Sequence, residues 1–241
     1  MNYAMTVSNL SYSYPGAAPV FRGLSFKLHS KETLGVVGPN GTGKTTLLLL
    51  LSGLLKGTGS IQVGSTVLDE KTAKKIRQKM SFVFQNPDDQ LFMPTVYEDI
   101  AFGLDFLGHT KAAVANLVDE ALRKVGMRGF EERSSHHLSL GQKKRICLAA
   151  ALARNSDIML FDEPTNELDP GGRREFIALM KSIQVSKIVV SHDLNMIAEV
   201  SDRVMVLNKG GMVEIGETTR VLTNRALMED NRLEVPSSLM P

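Results

Sequence analysis

A chain of 241 residues can bury a substantial core, and 43% hydrophobic with 22% charged residues is the ordinary composition of a soluble globular protein. Its 28 basic and 26 acidic residues are well mixed and leave a net charge of +2, which gives no electrostatic case for nucleic acid as the main partner, a local basic patch aside. A single cysteine excludes an internal disulfide and suits a reducing compartment, and no apolar run approaches the roughly 20 residues of a membrane span.

The first residues, MNYAMTVSNLSYSYPG, have no basic start followed by an apolar block, so no signal peptide is expected. Any membrane role is expected to pass through a partner. MTVSNLSYSY (5–14), SFKLHS (25–30) and SIQVGSTVL (60–68) alternate apolar and polar residues, the pattern of half-exposed antiparallel strands. TLGVVG (33–38), MSFVFQ (80–85), DIMLFDE (157–163) and KIVVSH (187–192) are instead short apolar runs, as a parallel sheet covered on both faces requires. Helical segments separate them, notably the stretch after Lys44 and residues 171–181, so a right-handed parallel α/β core is expected. Residues 87 to about 155 read as a mostly helical insertion, with positions 114, 117, 118, 121, 122 and 125 on one apolar helix face. Cys147, among alanines and leucines, reads as a small core residue. RVMVLNKGGMVEIG (203–216) reads as strand, glycine turn, strand, and the polar tail from about Arg232 is expected to be loose.

The chemistry concentrates in a few places. Gly38–Thr45 fits G-x-x-x-x-G-K-[ST], between an expected strand and an expected helix. Its glycines let backbone N–H groups wrap a phosphate chain, and the helix N-terminus adds partial positive charge. Lys44 can reach the β- and γ-phosphates, and the Thr45 hydroxyl can ligate Mg²⁺. The strand at 157–163 delivers Asp162 and Glu163 to the carboxyl edge of the sheet, one to hold Mg²⁺, the other to orient water. Two acids capping a strand end would look the same in isolation. Gln85 could touch both metal and water, and His192 could donate to a γ-phosphate. Ser139 and Gly141 open an alanine-rich helix that could hold a second anion. A surface glutamine, a structural histidine and an ordinary N-cap are the simpler readings of these three.

Taken in order, these pieces resemble the nucleotide-binding subunit of ATP-binding cassette (ABC) transporters over nearly the whole chain. The residues that carry the likeness are Tyr14, GPNGTGKTT (38–46), Gln85, LSLGQKKR (138–145), FDEP (161–164), ELD (167–169) and His192. The resemblance implies a P-loop NTPase of the α/β class: a RecA-like parallel sheet core with an N-terminal antiparallel β subdomain and a helical insertion, forming one domain over 1–241. It implies ATP as ligand with Mg²⁺, adenine stacked on Tyr14, and phosphates held by Gly38, Pro39, Asn40, Gly41, Thr42, Gly43, Lys44, Thr45 and Thr46. Mg²⁺ would be held by Thr45, Gln85 and Asp162. Catalysis would fall to Glu163, His192, Gln85 and Lys44. A head-to-tail dimer would sandwich two ATP molecules, each between the P-loop of one subunit and Ser139, Gly141 and Gln142 of the other, with Asp169 coupling the sites. The chain departs from the family pattern at Leu140, where glycine is commoner, and at the bulky, charged Glu167.

FQNPDDQLFMPTVYEDIAFG (84–103), with Gln90 in its PDDQ element, resembles the ATPases of energy-coupling factor transporters, in which this region forms a groove for a membrane partner. LGQKKR (140–145) and VSHDLNMIAEVSDRVMVL (190–207) resemble the cobalt/nickel branch, with vitamin uptake, biotin included, as the alternative. The implied partners are a second ATPase subunit, by default an identical one, a transmembrane coupling protein and a substrate-binding membrane subunit. The implied location is the cytoplasmic face of the cell membrane. A soluble ABC ATPase acting on DNA or ribosomes would need a coiled coil or a second cassette, and a small-molecule kinase would leave the 138–145 segment without a task.

Overall fold

The computed structural model describes residues 3–240. In chain order the elements are β1 (Tyr3–Ser13), β2 (Pro19–His29), β3 (Thr33–Val37), α1 (Lys44–Leu51), β4 (Thr58–Val63), β5 (Thr66–Val67), α2 (Ala73–Gln78), β6 (Met80–Val83), α3 (Val96–Asp105), α4 (Lys111–Lys124) and α5 (Leu140–Ala153). They continue with β7 (Ile158–Asp162), α6 (Pro170–Ser182), β8 (Ser186–Val190), α7 (Leu194–Val200), β9 (Arg203–Asn208), β10 (Gly211–Glu217), α8 (Thr218–Leu222) and α9 (Arg225–Asp230). Two sheets result. One is antiparallel with order β2-β1-β4-β5, and the other has order β10-β9-β3-β8-β7-β6. From β9 to β6 every pairing is parallel, and only β10 runs against its neighbour. This is the α/β class expected of the sequence, with the antiparallel part at the N-terminus and α3, α4 and α5 between β6 and β7.

The strand periodicity of two explains how one sheet serves two cores. In β7, Ile158 and Leu160 face the cluster shared with the antiparallel sheet, while Met159 and Phe161 face the helical layer. In β8, Ile188 and Val190 take the first side and Val189 the second, and β9 alternates likewise. Helix α1 is sandwiched between the two sheets, so Leu47, Leu48, Leu50 and Leu51 are all fully buried. An all-round apolar helix is what that position demands.

Four sequence expectations need adjustment. Strands β6 and β8 stop at Val83 and Val190, so Gln85 and His192 lie in the loops just beyond the sheet edge. The cause is local: Asn86 caps a 3₁₀ turn at Pro87–Asp89, and Asp193 caps α7. Residues 125–134 of the insertion are irregular, with glycines 126 and 129 at positive φ. The tail is not loose over 232–240: Leu233, Val235 and Leu239 pack on the main core, and Asn195 accepts from Ser237 and Ser238.

Candidate functional site

The loop between β3 and α1 is closed by its own atoms. Lys44 Nζ donates to the carbonyls of Gly38 at 2.8 Å and Pro39 at 3.1 Å, and the Thr42 hydroxyl donates to Pro39 O at 2.9 Å. Burial lowers the Lys44 pKa, and the carboxylates of Glu163 and Asp162 oppose that shift. Gly43, the N-cap of α1, has φ +94°, and a Cβ there would overlap Val20 and press on Phe21. Gly43→Ala is therefore expected to destabilise the fold by about 1–3 kcal/mol, from the left-handed backbone and the overlap together. Thermal unfolding checks this, at roughly 2–4 °C of Tm per kcal/mol for a chain of this size.

Two carboxylates stand opposite this loop at the end of β7. Asp162 is buried, and its Oδ1 has no hydrogen-bond partner among the described residues. Burial raises its pKa, against the opposing hydrogen bond from the Thr45 hydroxyl. A buried, unpartnered carboxylate oxygen beside a hydroxyl and the amide of Gln85 is the donor set of a hard cation such as Mg²⁺. Among the described residues no three His, Cys, Asp or Glu side chains gather as a metal cluster, so that cation would keep part of its water shell. Glu163 sits at φ +44°, with its N–H held by Val190 O at 2.9 Å. The turn aims its carboxylate inward, where Oε2 accepts from the Ser191 hydroxyl at 2.9 Å and from the His192 backbone N–H at 3.2 Å. His192 Nδ1 lies 2.8 Å from the same oxygen.

Loop and carboxylates meet at one cleft of about 670 Å³, although Gly38, Pro39 and Thr42 do not line it. It brings together Tyr14, Asn40, Gly41, Gly43, Lys44, Thr45, Thr46, Gln85, Asp162, Glu163 and His192, all singled out in the sequence, and adds Val20, Asn166 and Val190. Tyr14 is 40% exposed and bonds Thr46 Oγ1 through its hydroxyl at 3.1 Å, which leaves its ring at the mouth. Ser191 escaped sequence reasoning, although it directly precedes His192; a hydroxyl beside a strand-end histidine was the available signal.

Ser139, Gly141 and Gln142 do not join this cleft. Ser139 is an exposed N-cap on α5, accepting from Gln142 N–H at 3.3 Å, while Gln142 Oε1 accepts from Ser139 N–H at 2.9 Å. This reciprocal capping fixes the start of the helix and leaves its N-terminal face to solvent. Asp169 caps α6 through Gly172 N–H at 2.8 Å. The PDDQ element is tied to α5: Lys143 Nζ meets Asp88 at 2.6 Å and Gln90 Nε2 donates to Cys147 O at 3.2 Å. Cys147 is buried, and burial pushes its thiol well up, so it is a core residue. Beside that element, exposed Phe92 and Phe102 line a groove and meet edge to face, and exposed Phe106 packs edge to face on Phe102.

Residues 21–166 match the family model described as ABC transporter. The chain is 42% identical to the energy-coupling factor transporter ATP-binding protein EcfA of Methanothermobacter thermautotrophicus, over 95% of this chain and 75% of that protein. It is 41% identical to the protein of the same name from Carboxydothermus hydrogenoformans, over 98% of this chain and 88% of that one. Among solved structures it is similar to cbiO1 of Clostridium perfringens, described as part of the ABC transporter complex cbiONQ. That likeness has a TM-score of 0.85 at 30% identity and covers 95% of this chain and 94% of the other.

Proposed function

The chain belongs to the ABC transporter family, as one of its ATPases, and on that premise we propose that it powers an importer of the energy-coupling factor type as one of two identical nucleotide-binding subunits. The observation that carries this reading is that the two segments read as anion-binding do not share a cleft on one chain. Lys44, Thr45, Asp162 and Glu163 line the P-loop cleft, whereas Ser139, Gly141 and Gln142 at the start of α5 line no part of it, so a second copy would be what brings them to a phosphate.

In this assignment the ring of Tyr14 stacks on adenine, and the backbone N–H groups of 38–46 with Lys44 hold the phosphates. Thr45, Asp162 and Gln85 would hold Mg²⁺, which when bound would neutralise charge on the β- and γ-phosphates. Glu163 orients the attacking water and draws off its proton as the new bond to the γ-phosphorus forms and its bond to the β–γ bridging oxygen breaks, releasing ADP and phosphate, and His192 donates to the γ-phosphate. Ser139, Gly141 and Gln142 reach the γ-phosphate of the opposing copy, and Asp169 lies at the seam between the copies. ATP then contacts both copies only in the closed form, which supplies the differential affinity that a two-state motion requires. Hydrolysis removes that bridge. The groove with Phe92 and Phe102 passes the motion to a transmembrane coupling protein at the cytoplasmic face of the membrane, alongside a substrate-binding membrane subunit.

The proposed cargo is cobalt or nickel ions rather than a vitamin, on the likeness of 140–145 and 190–207 to that branch and of the fold to cbiO1. Uptake of labelled cobalt, nickel and biotin by vesicles carrying this chain with its co-purified membrane proteins tests it; biotin uptake alone would reject the metal assignment. For the dimer itself, Ser139→Arg is expected to leave nucleotide binding by the single chain unchanged and to abolish ATP-dependent dimers in light scattering. Equal dimerisation of variant and parent would remove α5 from the interface.

A further inference from the structure

Lys144 is one of the few lysines that the fold buries, at 3% exposure, and the chemistry above gives it nothing to do. It lies five residues after Ser139 on α5, yet its Nζ reaches the loop beyond β7, donating to Pro164 O at 3.1 Å and to Glu163 O at 3.4 Å. These are the carbonyls of the turn that Glu163 enters at φ +44°. A left-handed turn in a residue other than glycine persists only where its surroundings fix it. A buried carbonyl left without a donor would favour its relaxation.

Glu167, the departure from the family pattern, belongs to the same arrangement. It also has positive φ, at +63°, and shares a cavity of about 300 Å³ with Leu140, Lys144, Asp162 and Thr45. Burial lowers the Lys144 pKa, and the Glu167 carboxylate is the foremost charge opposing that shift. The acid stands in a backbone conformation that glycine adopts more readily, and it places a negative charge beside the buried ammonium.

We propose that Lys144 is a positioning residue for Glu163, with Glu167 as its counter-charge, and that it joins the helix capped by Ser139 to the base of the same chain. The proposal rests on the assignment of Glu163 made above. It adds a mechanical link: α5 offers its N-terminus to one ATP while its fifth residue holds the base that activates water at the other.

The test compares Lys144→Met, Lys144→Gln and Glu167→Gln in the full chain, by steady-state ATPase kinetics and thermal unfolding. Lys144→Met keeps length and loses the donor, so kcat is expected to fall about 10- to 100-fold, the scale of a misplaced catalytic group, with KM for Mg-ATP within about twofold. Lys144→Gln keeps a donor and is expected to recover most of that loss. Glu167→Gln, on an exposed side chain that does not endanger folding, is expected to lower kcat about two- to fivefold, and to have no further effect once Lys144 is Met. Parental kcat in Lys144→Met would overturn the proposal, as would Met and Gln variants that lose kcat, KM and Tm alike. If Lys144→Met does not fold, unchanged kcat in Glu167→Gln overturns it. Parental turnover in Glu163→Gln would instead sink the assignment beneath it.

Discussion

Glu163→Gln is expected to bind ATP normally and to hydrolyse it about 10²- to 10⁴-fold more slowly, the usual worth of a positioned general base. The substitution preserves shape, so the turn at φ +44° and the hydrogen bond from Ser191 both survive. What disappears is the negative charge and the capacity to take a proton from water. In the proposed cycle hydrolysis opens the dimer, so ATP-bound dimers should accumulate, as an increase in mass by light scattering on addition of Mg-ATP. A variant that turns over like the parent would mean that another group positions the water. Ser191→Ala offers a graded companion, since it removes one of the donors that fix the carboxylate without touching the carboxylate itself.

Lys44→Ala carries the second large effect, and it acts earlier, on binding. A hydrogen bond to a charged group contributes about 1.5–3 kcal/mol, which is roughly 10- to 100-fold in nucleotide affinity. The loss is compounded because Asp162 and Glu163 line the same cleft, and the ammonium that opposes their repulsion of the phosphates is gone. Titration with a fluorescent nucleotide measures the affinity, and ATPase assays in the assembled complex measure the consequence. Unchanged turnover there would refute the assignment of the loop.

Most of this site was legible because it is built where local sequence and local geometry coincide. GPNGTGKTT, the carboxylates after IMLF, and the S-L-G-Q start of α5 all sit at element boundaries that apolar runs and caps announce. The alternation in β7, β8 and β9 was invisible as such, because a sheet buried on both faces reads as a continuous apolar run. Loop residues were placed less well. Gln85 and His192 looked like strand ends, but Asn86 and Asp193 start new caps one residue later. Lys144 and Glu167 could not have been paired from spacing, since 22 intervening residues, β7 among them, separate them, and only the folded chain brings both to one cavity. The C-terminal residues misled by composition: Leu233, Val235 and Leu239 are sparse in a polar stretch, yet all three find the core.

Helix α1 has almost no wet side, because its leucines are enclosed between two sheets, and its first residue is Lys44. The loop ahead of it is consequently shaped when the chain folds, before any nucleotide arrives. An incoming triphosphate meets a finished receptacle and spends little of its affinity on ordering the receptacle. In the proposed cycle the free energy of the encounter then stays available for the larger task of drawing two separate bodies together, and a stiff cradle would let a small molecule act as a clamp.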